Sequence, residues 1–354
     1  MNVLSLFDGM SCGQIALNNL GIKVDNYFAS EIDKYAIQIA KKNYPNMVHV
    51  GDVTKLSYSD YRGCLVREKE SKYIVDIPNS KRIDLIMGGS PCQGFSRAGK
   101  GLDFEDPRSK LFFEFVRLIK ECKPKYFLLE NVKMNSDSRD IISKYLGVQP
   151  IYIDSAVLSA QTRKRYYWTN IPYLLNPVDQ RIKLKDIIQT EGELKGSTVD
   201  ERMVTNKGKA YCLTARYAGA TWWNSIERNQ RTMIRIGDKV CFPEATKKGY
   251  VAAGIGEGID IQYPNSATRR GRLLKDKAHC LQSADTSQGI INEKYNWRKL
   301  TPIECERLQT VPDNYTEGVS NAQRYKMIGN GWTVKVIEYI LKNINKEKQI
   351  NSFY

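Results

Sequence analysis

Ile83-Asp84-Leu85-Ile86-Met87-Gly88-Gly89-Ser90-Pro91-Cys92-Gln93-Gly94-Phe95-Ser96 is the stretch that decides the architecture. The apolar run at 83–87 reads as a buried strand. It feeds a glycine-rich loop in which a cysteine follows a proline. Open α/β sheets carry out their chemistry at the C-terminal ends of their strands. A thiol held there by a stiff turn is a candidate nucleophile.

Working outward, further strand candidates lie at 3–6, 26–29, 47–50, 126–129 and 151–154. Helical patterns separate them. Apolar residues fall at 12, 15, 16, 17 and 20, and Asp33 can cap a helix over 34–42. Over 110–120, Leu111, Phe115, Leu118 and Ile119 share one face. This alternation predicts an α/β fold with a doubly wound, mostly parallel sheet. After about Pro177 glycine, threonine and basic residues increase and helical periodicity fades. Residues 178–296 therefore read as a smaller, β-rich domain inserted into a discontinuous one, 1–177 plus 297–354. Inside the insert, Lys209-Ala210-Tyr211-Cys212-Leu213-Thr214 and Lys277-Ala278-His279-Cys280-Leu281-Gln282 echo each other, the pattern of two similar strands in one small sheet. Helical periodicity returns near Arg298: Thr301-Pro302 opens one helix, and 334–341 forms the last.

Composition narrows the function. The 354 residues carry a net charge of +15, which favours a polyanionic partner, nucleic acid first. No run approaches the roughly 18 apolar residues of a membrane span, and the N-terminus lacks an export pattern, so a soluble cytoplasmic protein is expected. None of the 8 cysteines forms a C-x-x-C pair, so neither a metal ribbon nor disulfides are expected. The 2 histidines, His49 and His279, lie far in sequence from any nucleophile-like motif, which counts against a hydrolytic triad.

The first strand runs into Phe7-Asp8-Gly9-Met10-Ser11-Cys12-Gly13, whose small residues let backbone approach a ligand. The spacing is not G-x-G-x-x-G, and no Walker lysine follows. Glu31 follows the second strand and Asp52 the third. Acids there can accept hydrogen bonds from ribose hydroxyls and from an adenine amino group, so a nucleoside ligand is expected.

These residues resemble the DNA (cytosine-5)-methyltransferases over nearly the whole chain. The ordered set is Phe7-Asp8-Gly9-x-Ser11-Cys12-Gly13, Glu31, Asp52, Pro91-Cys92-Gln93, Glu130-Asn131-Val132, Gln161-Thr162-Arg163-Lys164-Arg165, Arg298-x-Leu300-Thr301-Pro302-x-Glu304-Cys305 and Gly329-Asn330-Gly331. Parts are also similar to the catalytic domain of the animal de novo enzymes, notably Leu4 to Gly9, the Leu111-Phe112-Phe113-Glu114-Phe115 run and Val334 after Trp332-Thr333. Cys92-Gln93 follows the bacterial pattern instead, so a stand-alone microbial or phage enzyme is expected.

The resemblance implies the Rossmann-like fold of methyltransferases that use S-adenosyl-L-methionine. It implies a cofactor site at Phe7, Asp8, Gly9, Ser11, Cys12, Gly13, Glu31, Ile32, Asp52, Val53, Pro91 and Asn330. Cys92 would add to C6 of a cytosine and activate C5 for methylation. Glu130 would act at N3, Arg165 would bond O2, and Arg163 would support the pocket. A cytosine in a duplex is out of reach, so the base would be flipped. Gln93, Ser96, Arg97 and the glycine-bearing segment 96–106 would close over the DNA, with Lys100 and Arg108 near phosphates. The 178–296 region would read sequence, with Arg216, Arg228, Arg231, Arg235, Arg269, Arg270 and Arg272 for guanine edges or phosphates. Trp222 and Trp223 read as core. A monomer acting on double-stranded DNA is implied, without metal or membrane, and a cognate endonuclease is not. Rival readings are the same chemistry on RNA, a catalytically silent binding paralogue and a nicotinamide oxidoreductase.

Overall fold

The computed structural model describes residues 1–59, 64–67, 73–76, 82–90, 107–172, 176–183, 186–187, 189, 235–236, 239–243, 250–260, 273–274, 277–278, 280, 288–291, 297–299 and 301–344. In chain order the first half runs β1 (Asn2–Leu6), α1 (Cys12–Asn19), β2 (Asn26–Ser30), α2 (Lys34–Asn43), β3 (Val48–Gly51), β4 (Leu56–Ser59), β5 (Cys64–Arg67), β6 (Tyr73–Asp76), β7 (Leu85–Gly89), α3 (Pro107–Cys122), β8 (Tyr126–Val132), α4 (Ser136–Leu146), β9 (Ile151–Asp154) and β10 (Lys164–Thr169). Then come β11 (Arg235–Ile236), β12 (Lys239–Pro243), β13 (Tyr250–Ala253), β14 (Gly258–Asp260), β15 (Gln288–Ile291), β16 (Trp297–Lys299), α5 (Pro302–Leu308), α6 (Asn321–Asn330) and α7 (Val334–Leu341).

A 7-stranded sheet in the order β3-β2-β1-β7-β8-β10-β9 forms the centre. Its strands pair in parallel from β3 to β8, and β10 is antiparallel to both β8 and β9. The mostly parallel expectation holds, with this antiparallel wing added. Strand order reverses between β1 and β7, which opens a crevice at their C-terminal ends. The turn after β1 leaves from that crevice, and the C-terminal end of β7 borders it.

Side chains alternate across the sheet, as strand geometry requires. Val3, Leu85, Met87 and Leu128 join one core cluster, while Leu4, Ile86, Phe127 and Leu129 join another. The first cluster is roofed by α1, α2 and the C-terminal helices; the second lies under α3 and Ile142 of α4. Helix ends follow local chemistry. Asp33 Oδ1 accepts from Tyr35 N at 3.0 Å, as its sequence position predicts. Thr301 and Glu304 form a capping box, with Pro302 in the first turn. Helices α4 and α6 and the antiparallel sheet β4-β5-β6 go beyond the sequence expectations.

Between Pro177 and α5 the strands among the described residues form two antiparallel sheets, β11-β12-β13 and β14-β15-β16. The echo reading needs correcting at its second copy. Ala278 sits in no small sheet but bridges Gln161 in parallel, with Thr162 N donating to Ala278 O at 2.6 Å and Ala278 N to Ala160 O at 2.8 Å. The first copy, 209–214, lies outside the described residues. No described helix is long and apolar enough to cross a membrane.

The C-terminal helices complete the large core. Helix α7 packs on α1, and Asn19 Nδ2 donates to Glu338 Oε1 at 2.6 Å. Between α5 and α6 the chain wraps around the fully buried Glu306. Its Oε2 accepts from Asn314 N at 2.8 Å, and Oε1 from Thr316 N at 2.8 Å, the Thr316 hydroxyl, and Arg324 Nη2 at 3.0 Å. Removing one partner of such a buried pair typically costs about 3–5 kcal/mol. Glu306→Ala is expected to lose that much in urea titration, and Glu306→Gln less. Equal midpoints for all three proteins would refute the role given to Glu306.

Candidate active site

Leaving β1, the chain turns through three residues in the left-handed region: Phe7 (φ 56°), Gly9 (φ 58°) and Ser11 (φ 65°). Glycine tolerates this conformation, whereas Phe7 and Ser11 are strained there. The turn is held from outside. Asp8 N donates to Ser30 O at 3.0 Å, and Ser11 N to Asp8 O at 3.0 Å. Asp8 Oδ1 accepts from the Tyr27 hydroxyl at 2.7 Å, and Oδ2 from the Ser11 hydroxyl. Enclosure of this carboxyl raises its pKa to about 6; hydrogen bonds from Ser11, Ser5 and Tyr27 work against the rise, and nearby Glu31 adds to it.

Glu31, just past β2, completes the turn. Its Oε2 accepts from Gly9 N at 2.8 Å, and its Oε1 from Ile32 N at 2.7 Å and Asp33 N at 2.8 Å. Oε2 keeps capacity for a second donor. Beside it Ile32 is 77% exposed, an apolar face with no cover. Asp52 caps the short turn 53–55 through Oδ1, which takes Thr54 N at 2.9 Å and the Thr54 hydroxyl at 2.8 Å. A carboxylate beside an uncovered apolar side chain suits a ribose and its base.

The other expected cofactor residues divide. The side chains of Ser11, Cys12 and Val53 are buried, so backbone is what they present. Burial pushes the Cys12 thiol up to about 12, so it is no nucleophile. Gly13 is pressed against β7: an added Cβ would lie 2.4 Å from Met87 Cε. Asn330 is exposed at the end of α6, which Lys326 ties to Asp33 at 2.7 Å. Gln14 Oε1, in the first turn of α1, is buried without a hydrogen-bond partner among the described residues. Pro91, Cys92, Gln93, Ser96, Arg97, Arg216, Arg270 and Arg272 lie outside the described residues, as do Lys100, Trp222, Trp223, Arg228, Arg231 and Arg269; the side chains of Arg108 and Arg235 are likewise outside.

A second constellation stands on the neighbouring strands. Glu130 lies within β8 rather than at its tip, opposite Tyr167 of β10. Arg165 Nε comes within 2.8 Å of Glu130 Oε1. The approach is oblique, a charge contact rather than a directed hydrogen bond, and among the described residues it leaves the buried Nε–H without one. Burial opposes the Arg165 charge, but the Glu130 carboxylate and the Cys280 sulfur outweigh it, so the guanidinium pKa is raised. Arg163 is buried and donates through Nη1 to Gly329 O at 3.2 Å and through Nη2 to Gly331 O at 2.9 Å. Both arginines reach Cys280 Sγ, at 2.9 Å from Arg163 Nη1 and 3.3 Å from Arg165 Nη2. The R-x-R spacing thus aims both at one point, as alternation on a strand predicts.

At the end of β7, Gly89 keeps this corner open. An added Cβ would stand 2.9 Å from both Glu130 Oε2 and Trp332 Nε1. Behind it, fully buried Gln309 uses its whole hydrogen-bonding capacity. Nε2 donates to Ile328 O at 2.9 Å and Gly331 O at 3.1 Å, while Oε1 accepts from Gln161 Nε2 at 3.2 Å and the Thr333 hydroxyl at 2.8 Å. Gln309 and Cys280 were not among the expected site residues. Cys280 lies inside the noticed echo, but nothing in sequence brings it 117 positions back to Arg163. Among the described residues no His, Cys, Asp and Glu group could hold a metal ion.

Two outcomes follow from this geometry. Because the folded-state pKa of Asp8 is raised, its contribution to stability is full below about pH 4 and is lost as pH rises through about 6. Asp8→Asn is expected to remove that component from denaturation midpoints measured across pH 4–7, and an unchanged profile would refute the assignment. Gly89→Ala should keep the fold, because the strand stays paired, yet lower turnover by about 10-fold or more by displacing Glu130 or Trp332. Wild-type turnover in that variant would show the corner to be unused.

Comparison with known proteins identifies the family. The sequence model of the C-5 cytosine-specific DNA methylase family matches residues 1–346. A type II methyltransferase of Lactococcus lactis subsp. cremoris is 30% identical over 373 residues, which cover 98% of this chain and 79% of that one. The type II methyltransferase M.HhaI of Haemophilus parahaemolyticus is 27% identical, covering 97% of this chain and 94% of its own. An orphan methyltransferase of Bacillus phage SPR is 27% identical, covering 99% of each. Among solved structures, S. pombe Dnmt2 methyltransferase superposes with a TM-score of 0.55 at 15% identity, covering 98% of this chain and 99% of its own, a likeness of fold. The chain belongs to the C-5 cytosine-specific DNA methylase family and is a DNA (cytosine-5)-methyltransferase.

Proposed function

We propose that the chain methylates C5 of a cytosine flipped out of double-stranded DNA, through a covalent adduct between Cys92 Sγ and cytosine C6. The observation that carries this reading is the corner where Glu130, Arg165 and the bare Cα of Gly89 meet, on the strand end that leads into Pro91-Cys92.

S-adenosyl-L-methionine is the methyl donor of the family, and the crevice fits it. Glu31 Oε2 would accept from a ribose hydroxyl, Ile32 would lie against the adenine, and Asp52 would accept from its amino group. Backbone of the 7–13 turn and the start of α1 would face its charged tail, with Gln14 Oε1 available as an acceptor there. Pro91, Val53 and Asn330 would border the site. When bound, the cofactor supplies an electrophilic methyl group and departs as S-adenosyl-L-homocysteine.

The protein's own groups do the rest. Cys92 adds as a thiolate to C6, forming an S–C bond. Glu130 donates at N3, which draws electron density out of the ring as the thiolate adds. Arg165 holds cytosine O2, and its oblique contact with Glu130 is easily exchanged for substrate. Arg163 holds the Gly329-Asn330-Gly331 backbone beside both ligands. Carbon C5 takes the methyl group, its proton leaves to a base to which no residue is assigned, and the C5–C6 double bond re-forms with expulsion of the Cys92 thiolate.

Residues 1–177 with 297–354 form the catalytic unit in this reading, and 178–296 reads the target sequence through Arg216, Arg270 and Arg272. Gln93, Ser96 and Arg97 fill the vacated stack and hold the backbone. The +15 charge matches a duplex partner.

The test is a duplex carrying 5-fluorocytosine, whose fluorine blocks the last step. Wild type with cofactor should form an adduct stable to denaturing gels, and Cys92→Ser none. Methyl transfer to RNA alone, or no adduct from an active wild type, would overturn the proposal.

A further inference from the structure

We propose that Cys280 is a positioning residue for the base pocket: its sulfur fixes the plane of the Arg165 guanidinium and links it to the region between the two halves of the catalytic unit. The inference rests on the reading in which Arg165 meets the cytosine, and it adds a residue that the sequence motifs do not contain.

Every Arg165 nitrogen is engaged. Nε faces Glu130 Oε1 at 2.8 Å, Nη1 donates to Lys164 O at 2.9 Å, and Nη2 donates to Cys280 Sγ at 3.3 Å. A guanidinium is a rigid planar fork, so three fixed directions fix its plane. Two of these contacts are weak constraints: the Glu130 approach is oblique, and Lys164 O belongs to the adjoining residue. The sulfur supplies the third point.

That sulfur is itself firmly seated. It also accepts from Arg163 Nη1 at 2.9 Å, and Arg163 is anchored on two backbone carbonyls. Two residues earlier, Ala278 is locked to Ala160 and Thr162 by backbone hydrogen bonds. Lys277 Nζ donates to Ser159 O at 3.0 Å and to Ile182 O. A cysteine serving as apolar filler would sit among hydrocarbon, not between two guanidinium groups. Because 277–280 belongs to the 178–296 region, the sulfur ties Arg165 to a segment of that region anchored on the catalytic unit.

The full-length protein tests this with steady-state methylation of a cognate duplex and cofactor titration. Cys280→Ala should lower kcat about 10- to 100-fold, the range for a displaced catalytic group, with cofactor Kd and thermal midpoint close to wild type. Cys280→Ser keeps an acceptor and should stay within a few-fold of wild type. In an Arg165→Ala background, Cys280→Ala should cost nothing further, because the two act through one contact. Wild-type kcat in Cys280→Ala, equal loss in the serine variant, or multiplicative losses with Arg165→Ala would overturn the proposal. If Cys280→Ala fails to fold, Cys280→Val, which fills the space without an acceptor, reads the same coupling in the cycle with Arg165→Ala. A wild type that traps 5-fluorocytosine while Cys280→Ala keeps full kcat sinks this inference alone; a wild type that traps nothing sinks the parent reading.

Discussion

A buried guanidinium must have its N–H groups met inside the protein, and Arg163 imposes that demand at the centre of this fold. It is satisfied by the carbonyls of Gly329 and Gly331 and by the Cys280 sulfur. Three stretches far apart in sequence are thereby brought to one point. Leaving such a charge partly unmet costs several kcal/mol, so alternative packings of the C-terminal segment are strongly disfavoured. Gln309 reinforces the constraint by sharing Gly331 O and closing onto Gln161, the first residue of the same motif. The rear wall of the Glu130 corner is thus made of paired polar groups.

The 7–13 turn and the Glu130 corner both rest on this wall. Gly331 packs toward Met10 and Cys12 beside the 7–13 turn, and the neighbouring Trp332 indole reaches Gly89 on the Glu130 side. One short segment therefore separates and aligns the two. The strained turn at Phe7, Gly9 and Ser11 fits the same logic: its conformation is dictated by Glu31, Ser30 and Asp8 around it.

Most of the central sheet was legible in the sequence because its strands are continuous apolar runs separated by amphipathic helices. Strand ends carrying Asp8, Glu31 and Asp52 were legible for the same reason. Strand direction was less so: the Arg163 and Arg165 alternation reads as a strand, but the antiparallel insertion of β10 depends on its partners on both sides, β8 and β9. Glu130 was placed at a strand tip, whereas pairing with β10 extends β8 beyond it. Cys280 and Gln309 were invisible because their roles exist only after distant segments meet. The echo at 277–282 misled, since similar local patterns do not specify the strand they pair with.

The packing of α7 on α1 sets the order in which this protein can be made. Helix α1 lies near the start of the chain and α7 near its end, on the order of 300 residues later. At about 5–20 residues per second of synthesis, the apolar surface of α1 waits tens of seconds on the ribosome for its cover. The nascent β1-α1-β2 unit is thus a natural client for chaperones. A chain released early, before α7, would expose a ready-made site for aggregation.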